Sequence, residues 1–152
     1  MKFTYRQYQT DPSPSVPSGI LNRPEVRLRV VGPTGVVSAW ALVDTGSDDT
    51  LLPLSAARRI GAALDPSQSW TIEGIGGHAL PVILGEVTLE LVGSNQIFRW
   101  LAKVGFIDFA DPQDEVLVIG HAGCLDFFRV TCDGSQREVE IDVTSAFPGQ
   151  VI

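Results

Sequence analysis

Cysteine, histidine and basic side chains are all scarce in this 152-residue chain, and each scarcity removes a class of protein. Two cysteines, Cys124 and Cys132, make no disulfide framework and read as buried apolar fillers. Two histidines, His78 and His121, stand apart from them and from each other, so a zinc site has almost nothing to build on. No metal and no cofactor is expected. Lys and Arg number 11 against 18 Asp and Glu, a formal net charge of −7, whereas a protein that grips nucleic acid needs a basic face. No stretch reaches the ~18 unbroken apolar residues of a membrane span. The opening MKFTYRQYQTDPSPS carries one early lysine but no apolar core for a secretory signal. Charged residues make up only 19%, and mean hydropathy is +0.16, which rules out wholesale disorder. A hydrophobic share of 44% over this length fills one core and is too little for two ordinary domains. The expectation is a soluble, acidic, cytoplasmic protein of one domain.

What the sequence does have is punctuation. Fifteen glycines and ten prolines interrupt it at short intervals, which favours short strands over long helices. Phe3 and Tyr5 alternate with polar neighbours as in a half-buried strand. Asp11 to Gly19 (DPSPSVPSG) reads as a linker, extended or mobile by its Pro and Ser content. From Glu25 to Val31 the alternation is clear, Gly32-Pro33-Thr34-Gly35 turns the chain, and Val36 to Val43 runs back, a hairpin signal. Pro53 to Ile60 predicts a helix with proline in its first turn and Gly61 to close it. Strands are predicted over 69–73, 79–84, 87–92 and 97–106, then a short strand over Val116 to Ile119, apolar enough to be buried on both faces. A short helix near Gly123 to Phe128, a strand to Cys132, a turn at Asp133-Gly134 and a strand over Arg137 to Val143 complete the chain. The predicted fold class is all-β, a single-domain barrel with one or two short helices.

At the end of the apolar strand 39–43 stands Asp44-Thr45-Gly46-Ser47-Asp48-Asp49-Thr50. A carboxylate emerging from a buried strand needs something to stabilise it. Thr45 supplies a hydroxyl that can brace the loop, and Gly46 permits a turn close to other chain or ligand. Taken alone, Asp-Thr-Gly is also an ordinary turn. A calcium loop of the EF-hand type fails, because Asp49 falls where Gly is required and Ser55 where Glu is required. A serine or cysteine hydrolase lacks a recognisable nucleophile context.

The run Val43 to Leu52 resembles the active-site segment of the retroviral-type aspartic proteases, the retropepsins. Ile72-Glu73-Gly74-Ile75-Gly76-Gly77 is similar to the glycine-rich flap hairpin of that family. Leu117-Val118-Ile119-Gly120 resembles the apolar-apolar-Gly element that packs under its catalytic loop. Gly123 to Thr131 is similar to the helix and strand that end many cellular and bacterial members. The first three motifs and the closing segment occur in the family's order, across roughly Val26 to Val143.

The resemblance implies a retropepsin-like acid-protease barrel over residues 25–152, preceded by the N-terminal strand and Pro/Ser-rich linker of 1–24. It implies an aspartic endopeptidase with Asp44, Thr45 and Gly46 at the catalytic centre. Ser47, Asp48 and Asp49 would line the substrate cleft, and Gly74, Ile75, Gly76 and Gly77 would close over the peptide. Only one Asp-Thr-Gly is present, since Asp133-Gly134-Ser135 lacks the Thr and falls in a turn. The second carboxylate must then come from a second copy, so the implied partners are a homodimer and a peptide or protein substrate. Ser47 stands where some members have Ala, and its hydroxyl is expected near the carboxylate pair. After Gly120 most relatives place Arg and then Asp or Asn; here His121-Ala122 follows, and His121 either pairs with Asp48 or, like His78, is an ordinary surface or rim residue. The rival reading is a barrel of the same fold that dimerises or binds peptides without cutting them.

Overall fold

The computed structural model describes residues 1–73, 77 and 79–152. Its first strands are short: β1 (Lys2–Thr4), β2 (Arg6–Gln9) and β3 (Ile20–Arg23). β2 and β3 pair with each other, Arg6 opposite Arg23 and Gln9 opposite Ile20. The stretch expected as a linker, Asp11 to Gly19, is therefore the loop of a hairpin. It folds back because Ser13 and Val16 exchange backbone hydrogen bonds and the Ser13 hydroxyl also accepts the Val16 N–H at 3.1 Å. Thr10 N–H then donates to the Gly19 carbonyl at 2.9 Å, closing the loop at its base. Proline and serine make turns as readily as linkers, and here the turn prevails.

β4 (Glu25–Gly32) and β5 (Gly35–Val43) form the predicted hairpin, with Gly32 opposite Gly35 across the Pro33-Thr34 turn. Val26, Leu28 and Val30 point inward from β4, Val37, Ala41 and Val43 from β5, and all six are buried. After the loop 44–50 comes β6 (Leu51–Pro53), which runs directly into helix α1 (Leu54–Ile60). The helix begins where Pro53 sets an extended entry and stops at Gly61, whose φ of 68° is the left-handed conformation that glycine adopts without penalty. Ala56, Ala57 and Ile60 bury its inner face, while Arg58 and Arg59 in the last turn complement its dipole.

β7 (Leu64–Glu73) pairs antiparallel with β8 (Ala79–Val92), which pairs in turn with β9 (Ile97–Ile107). β8 is one long strand where the sequence suggests two. Gly85 does not interrupt it, because a side chain there would meet Phe106 Cε2 at 2.6 Å: the aromatic ring of β9 occupies the space. β10 (Leu117–Ile119) lies between β5, to which it is parallel, and β6, to which it is antiparallel. Leu117 and Ile119 are buried, but Val118 is only half-buried and Val116 is exposed, so the expected burial on both faces holds for part of the segment. Six strands thus close a barrel in the order β4, β5, β10, β6, β9, β8 and back to β4.

The chain ends with β11 (Phe128–Asp133), β12 (Glu138–Val143) and β13 (Gln150–Val151). The predicted helix before β11 is one 3-10 turn over Leu125–Phe127. The β11–β12 turn is closed by Asp133, whose carboxylate accepts from the Ser135 hydroxyl and N–H and from the Gln136 N–H. Those bonds hold it below the usual carboxylate range, the Ser135 hydroxyl contributing most. β1 adds to the far edge of β12, with Phe3 opposite Val139, so the N-terminal strand belongs to the same packed unit as the barrel. Phe98, Trp100, Phe128 and Phe147 pack together, mostly tilted or edge-on, at centroid separations of 5.3–6.0 Å and join this small sheet to the barrel wall. Cys124 is buried, and burial pushes its thiol up; Cys132 is exposed, contrary to its reading as a filler, because although it shares a face with Phe128 and Val130 it lies near the far end of the edge strand β11.

The protein is mostly β, as the alternation predicts. Among the described residues, no helix is long and apolar enough to cross a membrane.

Candidate active site

The geometry of the site follows from one feature of strand order. β5 and β6 are consecutive, yet β10 lies between them, so the loop 44–50 must step across the end of β10, a span of roughly 9–10 Å at ordinary strand spacing. The residues that end β10 therefore sit under the loop. Asp44 N–H donates to the Ile119 carbonyl at 3.1 Å. His121 N–H donates to Ser47 O at 3.0 Å, Ala122 N–H to Asp48 O at 2.8 Å, and Thr50 N–H to Ala122 O at 3.1 Å. Gly120 must be glycine for this fit, since a Cβ would overlap the Asp49 carbonyl.

Inside the loop, the Asp44 carboxylate accepts the Gly46 N–H at 2.9 Å and the Asp44 carbonyl accepts the Ser47 N–H at 3.2 Å. The carboxylate is thereby oriented, half-buried, with its rim open to solvent. Thr45 and Gly46 are exposed, and among the described residues the Thr45 hydroxyl has no hydrogen-bond partner. Thr50 does the bracing instead. It is 1% exposed, and its hydroxyl lies 3.3 Å from both the carbonyl oxygen and the amide nitrogen of Gly120.

The loop floors an open cleft of about 660 Å³ whose other side is the strand leading toward residues 74–77. Asp44, Asp48, Asp49 and Glu73 supply carboxylates to it; Leu51, Trp70 and Ile72 supply apolar surface. Among the described lining residues there is no Lys, Arg or His. The Trp70 indole N–H donates to Asp49 Oδ2 at 3.2 Å, which ties the strand to the loop.

Asp44, Gly46, Ser47, Asp48 and Asp49 thus come together on one cleft wall, with Thr45 on the loop's exposed side. Gly74, Ile75 and Gly76, expected in the flap, and His78, expected at a rim, lie outside the described residues; Gly77 adopts a left-handed φ of 75°. Two expectations change. The Ser47 hydroxyl does not approach the Asp44 carboxylate but donates to the Asp49 carbonyl at 2.8 Å, a nearer acceptor two residues on. His121 does not face Asp48. Its Nδ1 lies 3.3 Å from Asp126 Oδ1 and its Nε2 3.1 Å from the Thr45 carbonyl, because the tight turn 121–126 carries Asp126 back beside the ring.

Thr50, Trp70 and Asp126 are the residues that sequence reasoning misses. Thr50 leaves one faint signal, a polar residue directly before the apolar pair Leu51-Leu52. Among the described residues, no three His, Cys, Asp or Glu side chains cluster closely enough to hold a metal ion. Comparison with models of known protein families finds none that matches the chain, and no curated protein matches it.

Proposed function

We propose that the chain is a retropepsin-like aspartic endopeptidase that works as a homodimer, each copy contributing one Asp44. The observation that carries this reading is the Asp44 carboxylate itself, oriented by the Gly46 N–H at the floor of an open, partly apolar cleft. A turn aspartate with no other task has no need of a loop fastened at four points to a neighbouring strand end.

Two such carboxylates facing one water cannot both ionise easily, so the pair holds one proton between them and titrates as a unit. The ionised member takes a proton from the water, whose oxygen attacks the peptide carbonyl carbon. The protonated member gives its proton to the carbonyl oxygen, producing a neutral tetrahedral diol. Collapse of the diol breaks the C–N bond as the amide nitrogen takes a proton from the protonated carboxyl and a diol hydroxyl gives its proton to the ionised one, which leaves the pair with its single proton. No bond to the protein forms. Asp49 and the strand beside it line the cleft that holds the peptide extended.

Asp44→Asn tests the reading. The asparagine oxygen still accepts the Gly46 N–H, so the loop keeps its shape, while the shareable proton and the charge are gone. Cleavage of a mixed peptide library should fall by orders of magnitude, with the circular dichroism spectrum unchanged. Equal cleavage by the two proteins, or none by wild type at any pH, removes the enzyme and leaves a barrel that binds without cutting.

A further inference from the structure

The two tryptophans that line or approach the barrel interior are used in different ways. Trp100 is 2% exposed, and its N–H ends on a backbone carbonyl, that of Gly123, at 2.8 Å. That is how a tryptophan used for packing satisfies its one polar atom. Trp70 is half-buried and opens onto the cleft, and its N–H ends on a cleft carboxylate. Its ring is not loose. It packs with Ile72 and Val118 on a small apolar cluster of Leu51, Val82 and Ile107, separate from the main core. Gly105 makes the seat: a Cβ there would lie 2.9 Å from Leu51 Cδ2 and 3.1 Å from Trp70 Cζ2. The ring is thus held from behind by the barrel and at its edge by Asp49, with its remaining surface opening onto the cleft that Asp44 also lines.

We propose that Trp70 is the specificity-determining residue of this cleft, acting in two separable ways. Its ring is the apolar wall against which a large aliphatic or aromatic substrate side chain packs beside the bond to be cut. Its N–H is a positioning group: by holding Asp49 Oδ2 it fixes the plane of that carboxylate, so that Oδ1 accepts a main-chain N–H of the bound peptide. The assignment rests on the peptide-cleft reading above.

The experiment uses the Asp44→Asn protein as a non-cutting parent, with Trp70→Phe, Trp70→Leu and Asp49→Ala added singly and Trp70→Phe/Asp49→Ala as a pair. The probes are fluorescein-labelled octapeptides of Gly and Ser that differ only in one central residue, Ala, Leu or Phe. The parent should prefer the Phe peptide to the Ala peptide by roughly tenfold or more, the worth of burying an aromatic side chain in part. Trp70→Phe keeps an aromatic wall and loses the N–H, so all three peptides should weaken by a common factor of roughly five to ten. That factor should vanish in the Asp49→Ala background, which a merely structural role for the indole would not produce. Trp70→Leu should in addition flatten the preference for Phe. Unchanged affinities in Trp70→Phe, or an intact Phe preference in Trp70→Leu, overturn the assignment to Trp70 while leaving the peptide cleft standing. Failure of the parent to bind any of the peptides removes the cleft reading and this proposal together. Trp70→Phe preserves the packed ring, so the central comparison survives even where Trp70→Leu does not fold.

Discussion

The Thr50 hydroxyl lies buried among backbone groups of the strand end that supports the loop 44–50, and at this scale the site is a matter of single hydrogen bonds. Thr50 meets Gly120 on both its amide and its carbonyl side, its own amide reaches Ala122, and its carbonyl accepts the Gly105 N–H at 2.9 Å. Valine has nearly the same shape and can make none of the side-chain contacts. Thr50→Val should therefore cost about 1–3 kcal/mol, because it leaves the buried Gly120 N–H without a partner, while the Gly120 carbonyl keeps the Leu125 N–H at 2.9 Å. A urea unfolding series on the two proteins measures it, and an unchanged midpoint would show that the hydroxyl is dispensable. Asp44, by contrast, needs no tertiary knowledge to find, since a carboxylate at the end of an apolar strand is conspicuous in any register. His121 is the reverse case. Its sequence position suggests Asp48 as a partner, but the choice between Asp48 and Asp126 belongs to the 3-10 turn that follows Cys124.

Among the elements, the hairpin of β2 and β3 is the one whose attachment the sequence hides. Arg6 stacks over Trp40 with 4.8 Å to the ring centroid and over Tyr8 with 5.2 Å, and Arg23 covers Tyr8 at 5.4 Å. The Tyr8 hydroxyl donates to buried Glu25 at 2.5 Å, and Arg6 stands 3.4 Å from the same oxygen. Glu25 begins β4, and the carbonyl of Pro24 just before it accepts the N–H of Val43, the residue before Asp44. The hairpin thus fastens onto the strand pair that delivers the loop 44–50. Burial, and then the Glu25 carboxylate, raise the Tyr8 phenol above its ordinary value. The folded state therefore holds that proton more tightly than the unfolded chain. The stabilisation is fully present below about pH 10, where an unfolded tyrosine titrates, and is lost as pH rises through the higher folded value. Tyr5 is shifted the same way, chiefly by burial, so the wild type alone does not isolate Tyr8. Tyr8→Phe should lower stability at pH ~8 by about 1–2 kcal/mol and show a shallower loss above pH ~10. Denaturant midpoints at the two pH values check this, and parallel pH curves for the two proteins would detach Tyr8 from the alkaline transition.

For the whole molecule, the consequence of one Asp-Thr-Gly per chain is that the proposed chemistry requires two copies. Activity per unit protein should then rise with concentration through the dissociation constant of the dimer, in step with the sedimentation coefficient. Mixing gives a sharper test. If chains pair at random, a ninefold excess of Asp44→Asn protein should cut the activity of a fixed amount of wild type to about a tenth, because most wild-type chains then sit in mixed dimers. Activity that ignores the added mutant would mean that each chain works alone, which one carboxylate cannot do by this mechanism.

Taken by itself, the sequence determined what depends on neighbours along the chain. Period-2 alternation marked β4 and β5, Gly32 to Gly35 placed their turn, Pro53 and Gly61 bounded α1, and Asp44-Thr45-Gly46 announced a carboxylate at a strand end. Each of these is set by sterics and burial within a few residues, so it is written locally. The tertiary structure alone decided what depends on which strands lie side by side. Inserting β10 between β5 and β6 puts Gly120 under Asp49 and Thr50, some seventy residues away in sequence, as the hydrogen bonds to Thr50 record. It also made Gly85 continuous where the local pattern breaks, because Phe106 of the neighbouring strand fills the gap, and it brought the Trp70 indole to Asp49. No local pattern encodes such pairs: their distance is fixed by closure of the barrel, which every strand shares.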